Sequence, residues 1–164
     1  MSRLQSGLLV ILLLFAGFVR IYNLADFTEF RGDQGRAGLV ALQTLESKTF
    51  PLAGPMTVQN QYMGPFFYYL SIFLFGIGQG DPFIPALFTA IVGVVSVALI
   101  FFLVKNVLSI QTAFAVSLLW AVSPTLISQD RIFWEPHYIP VFGVCYMLIA
   151  IRIIQTTRLR DWLW

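Results

Sequence analysis

The best candidates for acid–base chemistry in this chain lie in a short charged segment, Glu29–Arg36. The segment carries two acids and two arginines within eight positions, whereas only 11% of all residues are charged. A carboxylate acts as a general base, or binds a metal, when it is held near a substrate in a partly dry site, and the mouth of a membrane helix bundle is such a site. We therefore predict that Asp33 is the main functional residue. Its alternative role is that of a helix N-cap.

A second polar cluster lies in the second half of the chain. Its members are two acids, an arginine, a tryptophan and the single histidine: Asp130, Glu135, Arg131, Trp134 and His137. Acids can activate a hydroxyl, arginine holds phosphate through paired hydrogen bonds, and aromatic faces suit sugar rings or lipid headgroups. We predict that these side chains bind a phosphate-linked, membrane-borne substrate. Alternatively, Asp130 and Arg131 form a surface ion pair worth at most about 1 kcal/mol, and His137 is an interfacial side chain.

The composition indicates an integral membrane protein. With 58% hydrophobic residues and a mean hydropathy of +0.80, a water-soluble chain of 164 residues could not cover its surface with polar groups. Cys145 is the single cysteine, so the sequence has no disulfide framework and no paired-cysteine metal spacing. It also has no nucleic-acid signature. No cofactor is predicted; a divalent metal stays open, although a single histidine does not favour one.

Hydropathy predicts an all-α, multi-pass membrane protein with four transmembrane helices, forming a single membrane domain over residues 1–164. The first predicted span is long enough to cover about 27 Å at 1.5 Å per residue. A shorter apolar segment, 64–78, would reach only about 22 Å, below the roughly 30 Å of the hydrocarbon layer. We therefore predict two juxtamembrane helices, over 33–46 and 64–78. The four predicted spans cover residues 7–24, 83–104, 110–128 and 138–154.

The positions of the basic residues favour one orientation of these spans. If segment 64–78 does not cross the membrane, a set of basic side chains falls on one side, which the positive-inside rule makes cytoplasmic: Arg3, Lys105, Arg152, Arg158 and Arg160. The N-terminus is then cytoplasmic. Both polar clusters lie together on the extracytoplasmic side, where they can converge on one substrate.

The order of these parts resembles the N-terminal module of the GT-C membrane glycosyltransferases. The resemblance is to the superfamily of dolichyl-phosphate-mannose protein mannosyltransferases and lipid A aminoarabinose transferases, and it covers nearly all of the chain. Three motifs carry it: the loop Gly32-Asp33-Gln34-Gly35-Arg36, the helix start Gly64-Pro65-Phe66-Phe67-Tyr68-Tyr69-Leu70, and Ser123-Pro124 leading to the segment Asp130-Arg131-Ile132-Phe133-Trp134-Glu135-Pro136-His137.

The resemblance implies a catalytic role for the acid of the first extracytoplasmic loop. Asp33 would act as general base on an acceptor, which is a lipid, a glycan or a protein, and a polyprenyl-phosphate sugar would be the donor. Asp130, Arg131 and Glu135 would add polar groups to the same site. The family often places a basic residue at the start of the short helix, where this chain has Gly64-Pro65. Arg36 or Arg131 would then contact the donor phosphate.

Chain length separates this sequence from the family. Family members carry many more spans, so the resemblance implies a fragment of a longer enzyme, completed by further membrane helices from a missing C-terminal part or from a partner chain. The alternative function is a non-catalytic membrane module, or an inactive enzyme fragment, that binds lipid or a partner protein. The two alternatives differ in whether Asp33 and the 130–137 cluster share one site.

Overall fold

The computed structural model describes residues 2–30 and 32–156, and this part of the chain is all-helical, as predicted. Arg31, Arg158 and Arg160 therefore lie outside the described residues. The connection between the third and fourth helices holds an isolated β-bridge, Met56 to Tyr62. The helices are α1 (Arg3–Ile21), α2 (Leu24–Phe27), α3 (Gly32–Ser47), α4 (Phe66–Ile77), α5 (Phe83–Val107), α6 (Ile110–Val122), α7 (Pro124–Gln129), a short 3₁₀ helix (Glu135–Tyr138) and α8 (Ile139–Thr156).

Three helical segments of the described chain are long and apolar enough to cross a membrane: Arg3–Ile21, Phe83–Val107 and Glu135–Gln155. The chain thus has the helices of an integral membrane protein. α6 is shorter, since its 13 residues reach only about 20 Å. The predicted span 110–128 is divided between α6 and α7, because Pro124 has no N–H group with which to continue a helix. Four uninterrupted spans are therefore not observed.

α5 is the central helix of the described chain, and it contacts α1, α2, α4, α6, α8 and the 3₁₀ helix. Its contact surfaces carry small side chains, including Ala86, Ala90 and Gly93, all of them buried. Small residues allow membrane helices to approach closely, which compensates for the absence of a hydrophobic driving force in lipid. α1 lies along α5 with Gly17 beside Val94.

α3 and α4 form a separate pair that packs on one end of the bundle. The sequence of α3 places Ala37 and Ala41 one turn apart, and this small-residue face is buried against the aromatic side chains of α4. Phe133 and Tyr138, which flank Trp134, Glu135 and His137 in the sequence, belong to the same core. The rings of Phe67 and Phe133 stack with their centroids 4.8 Å apart. This shared aromatic core holds the start of α3, which carries Asp33, near the 3₁₀ helix, which carries Glu135.

Candidate functional site

Asp33 lies in the first turn of α3, with an exposed side chain. Within the described part of the chain its carboxylate makes no hydrogen bond and no ion pair. α3 begins at Gly32, which has a φ of 41°, so Asp33 is already inside the helix and is not its N-cap. The positive end of the helix dipole favours a negative charge at this position. Arg36 follows one turn later and is also exposed.

Asp33 is within electrostatic range of ionisable groups from two other elements, Tyr68 of α4 and Glu135 of the 3₁₀ helix. The carboxylate of Glu135 is within electrostatic range of Asp33 and of His137. Burial raises the pKa of the Tyr68 hydroxyl; Arg36 opposes the rise, and Glu135 and Asp33 add to it. We call the group formed by Asp33, Arg36, Tyr68 and Glu135 the Asp33 site. It combines two carboxylates, a guanidinium and a phenol that stays protonated.

Two buried polar atoms beside this site have no partner within the described residues: Trp134 Nε1 and Glu135 Oε2. Leaving a buried donor or acceptor unpaired costs about 1 to 3 kcal/mol, so both atoms are suited to receive a ligand. The Trp134 ring meets the His137 ring edge to face at 5.3 Å. His137 Nδ1 lies 3.0 Å from the carbonyl oxygen of Ile132, which fixes the orientation of the imidazole ring.

Asp130 lies away from Asp33 and pairs with an arginine of α1. Arg20 Nε donates a hydrogen bond of 2.8 Å to Asp130 Oδ2. Arg20 is fully buried, and its Nη1 also donates to the carbonyl oxygens of Ala16 and Ala121. Burial raises the pKa of Asp130, and Arg20 works against that rise. A Cβ atom on Gly93 would come within 2.4 Å of the Asp130 carboxyl, so glycine makes room for this pair on α5.

Arg131 also contacts α1, and it does not pair with Asp130. Its Nη2 donates to the carbonyl oxygens of Val19 at 2.6 Å and Tyr22 at 3.1 Å. These carbonyl groups belong to the last turn of α1 and to its C-cap residue Tyr22, where the backbone oxygens have no N–H partner within the helix. The guanidinium also lies 5.3 Å from the centre of the Phe27 ring. Asp130 and Arg131 therefore join the second polar cluster to α1; their substrate-binding role stays a prediction.

Sequence reasoning missed two contributors to this region. Arg20, which was not among the candidate residues, pairs with Asp130 of the second polar cluster. Tyr68 was not a candidate either, and the signal for it in the sequence is a hydroxyl group within an otherwise apolar helix. As for metals, no group of three or more histidine, cysteine or acidic side chains that could hold an ion occurs in the described ranges.

The fold and the site together define a helical membrane protein with a carboxylate-containing site between a helix pair and the bundle. In comparisons with known proteins, no family model matches the chain, and neither does any curated protein or solved structure.

Proposed function

We propose that the chain acts in sugar transfer from a polyprenyl-phosphate donor to a lipid, glycan or protein acceptor, as the GT-C resemblance implies. The observation that supports the proposal is that Asp33 and Glu135, which come from the two halves of the chain, lie within electrostatic range of one another. Catalytic groups have to converge on one substrate, so acids that lie near one another in the fold are candidates for a shared site.

In the proposed reaction Asp33 is the general base. Its carboxylate takes the proton of the acceptor hydroxyl while that oxygen attacks the anomeric carbon of the donor sugar. The bond between that carbon and the phosphate oxygen breaks, the lipid phosphate leaves with the electron pair, and the configuration at the carbon inverts. Arg36 is the better partner for the phosphate, because its side chain is exposed one turn after Asp33, whereas Nη2 of Arg131 already donates to two backbone carbonyl groups.

The remaining members of the second cluster would bind the sugar. Glu135 Oε2 and Trp134 Nε1 offer an unpaired acceptor and an unpaired donor, and the indole face suits a sugar ring. The Tyr68 hydroxyl, protonated at neutral pH, would donate a hydrogen bond to an oxygen atom of the polyprenyl-phosphate sugar. Asp130 has no part in this scheme, because its carboxylate is bonded to Arg20.

The proposed membrane arrangement keeps four crossings, with α6 and α7 together forming the third. The N-terminus is then cytoplasmic, and the Asp33 site opens on the extracytoplasmic side. Further helices, from a longer parent or a partner chain, would pack against α8. Only 11% of the span that includes α8 is buried, compared with 39% of the central α5 span. This surface can accept a neighbouring helix.

A second candidate function, a non-catalytic module that binds lipid or a partner protein, is favoured by one observation. Asp130 and Arg131, two of the polar residues of the second cluster, are used in contacts with α1. Fewer side chains of the second polar cluster are then available to bind a substrate.

The discriminating experiment measures the transfer of radiolabelled sugar from polyprenyl-phosphate mannose in membranes that contain the chain. Replacing Asp33→Asn removes the base, and we expect transfer to fall by about a hundredfold or more. The matched control is Glu29→Gln, which neutralises an exposed acid of the same segment and should leave transfer unchanged. Equal losses in both variants would contradict the assignment of the base. Absence of transfer by the folded, inserted chain would favour the binding module.

A further inference from the structure

The connection between α3 and α4 is apolar for an exposed loop. Between Lys48 and Asp81 the sequence contains no charged side chain. Within this stretch residues 54–64 form a small hairpin, which we call the 54–64 hairpin. Its backbone hydrogen bonds join Gly54 N to Met63 O at 2.9 Å and Thr57 N to Gln61 O at 2.8 Å.

The 54–64 hairpin and its base present apolar side chains outward. Val58, at the tip, is 95% exposed, and Leu52, at the base, is 93% exposed. Tyr62 and Met56 of the bridged pair are exposed as well. The other tip residues carry uncharged amides. This combination of aliphatic, aromatic and amide side chains without charge suits the interface between lipid headgroups and acyl chains.

The hairpin lies level with the end of a spanning helix. The last turn of α1 is placed beside Gly93 of α5, because Arg20 binds Asp130 and the Asp130 carboxyl touches Gly93. Phe66, the first residue of α4, lines a cavity of about 150 Å³ together with Val92, the neighbour of Gly93. α4 therefore begins at the depth where α1 ends, which is a membrane surface if α1 spans the bilayer.

The loop is also fixed to α4, so its position follows from that of the helix. The Tyr69 hydroxyl donates a hydrogen bond of 3.0 Å to the carbonyl oxygen of Pro51, next to Leu52. The Phe50 and Tyr69 rings meet edge to face at 6.3 Å. Tyr62 is within electrostatic range of Tyr68, a member of the Asp33 site. The 54–64 hairpin therefore lies near Tyr68 of that site.

From these placements we infer that the 54–64 hairpin inserts Val58, together with the adjacent Leu52, into the lipid interface. The partner is the bilayer itself, and the inference holds whether or not the chain transfers sugars. The inserted hairpin would hold α3 and α4 at the membrane surface, with the Asp33 site at the level of the headgroups.

Insertion can be measured by fluorescence quenching in phosphatidylcholine vesicles. Single cysteines are introduced at Val58 and at Leu52 in a Cys145→Ala background and labelled with an environment-sensitive nitrobenzoxadiazole probe. The matched control is a cysteine at Glu46, an exposed position of α3 next to Leu45, which packs on Gly76 near the opposite end of α4. All three sites are exposed, so labelling should not disturb folding.

We expect the probes at Val58 and Leu52 to emit at shorter wavelength than the probe at Glu46. They should be quenched by nitroxide-labelled lipids and protected from aqueous iodide, with the opposite pattern at Glu46. Iodide quenching at Val58 equal to that at Glu46 would overturn the inference. Protection from both quenchers would overturn it as well, because the hairpin would then be covered by protein, either a second copy or another partner.

Discussion

Replacing Arg20→Met tests the contact that holds the second polar cluster to α1. The substitution keeps a long side chain but removes a hydrogen bond of 2.8 Å to Asp130 and two bonds to backbone carbonyl groups. The Arg20 side chain is 0% exposed and the Asp130 side chain 12% exposed, so solvent screens the pair little. Removing one partner of such a pair costs about 3 to 5 kcal/mol, because the other charge stays buried.

The direction in which the stability of the Arg20→Met variant changes with pH follows from the Asp130 carboxyl, which remains buried. Burial raises the pKa of Asp130 and Arg20 lowers it, so the variant raises this pKa further. A carboxyl whose folded pKa exceeds its unfolded value adds stability at low pH, and this stability is lost as the pH rises through the folded pKa. The deficit of the variant is therefore smallest in acid and grows with pH.

The assay is reversible unfolding in mixed detergent micelles, from which the free energy of unfolding is obtained. The control, Arg3→Met, removes an exposed arginine from the other end of the same helix and should cost no more than about 0.5 kcal/mol. The double variant Arg20→Met with Asp130→Asn should recover part of the loss, since no charge is then left buried. A deficit for Arg20→Met equal to that of Arg3→Met would refute the reasoning.

Three further predictions concern the packing and the site. Gly93→Ala places a methyl group against the buried Asp130 carboxyl and should lower the free energy of unfolding by about 1 to 3 kcal/mol. In the same unfolding assay Gly143→Ala should have little effect, because no atom lies within 4 Å of the added methyl group. Asp33→Asn should leave the unfolding free energy within about 0.5 kcal/mol of wild type, because the residue is exposed, even where it abolishes transfer. Tyr138→Phe removes a buried hydrogen bond of 2.8 Å to Thr89 and should cost about 1 kcal/mol in chemical unfolding.

The helical class was readable from the sequence because long apolar runs leave few alternatives in a membrane. The division between α6 and α7 was not, since a hydropathy window runs across Ser123-Pro124 without responding to the missing N–H of the proline. A proline directly after a serine is nevertheless a local helix-start signal. The Ser123-Pro124 pair thus indicates a helix boundary inside the predicted span 110–128.

Two of the predicted site residues lie within electrostatic range of one another, and their functional roles stay predictions. The acid of α3 and the glutamate of the 3₁₀ helix come near one another, and both were candidates. The partner of Asp130 was not predicted, because it depends on the register between α1 and α5, which no local pattern encodes. The role of Gly93 could not be predicted for the same reason. Glycine is common in membrane helices, and only the folded structure shows that the Asp130 carboxyl occupies the space a Gly93 side chain would need.

The pairing of Arg20 with Asp130 has a consequence for biogenesis. The ribosome delivers α1 to the membrane before Asp130 has been synthesised, so the guanidinium of Arg20 first has to extend to the headgroups. Its buried position becomes favourable only after α5 and α6 have entered and the loop that follows them has arrived. Formation of this contact is thus a late step of assembly, which follows the synthesis of Asp130.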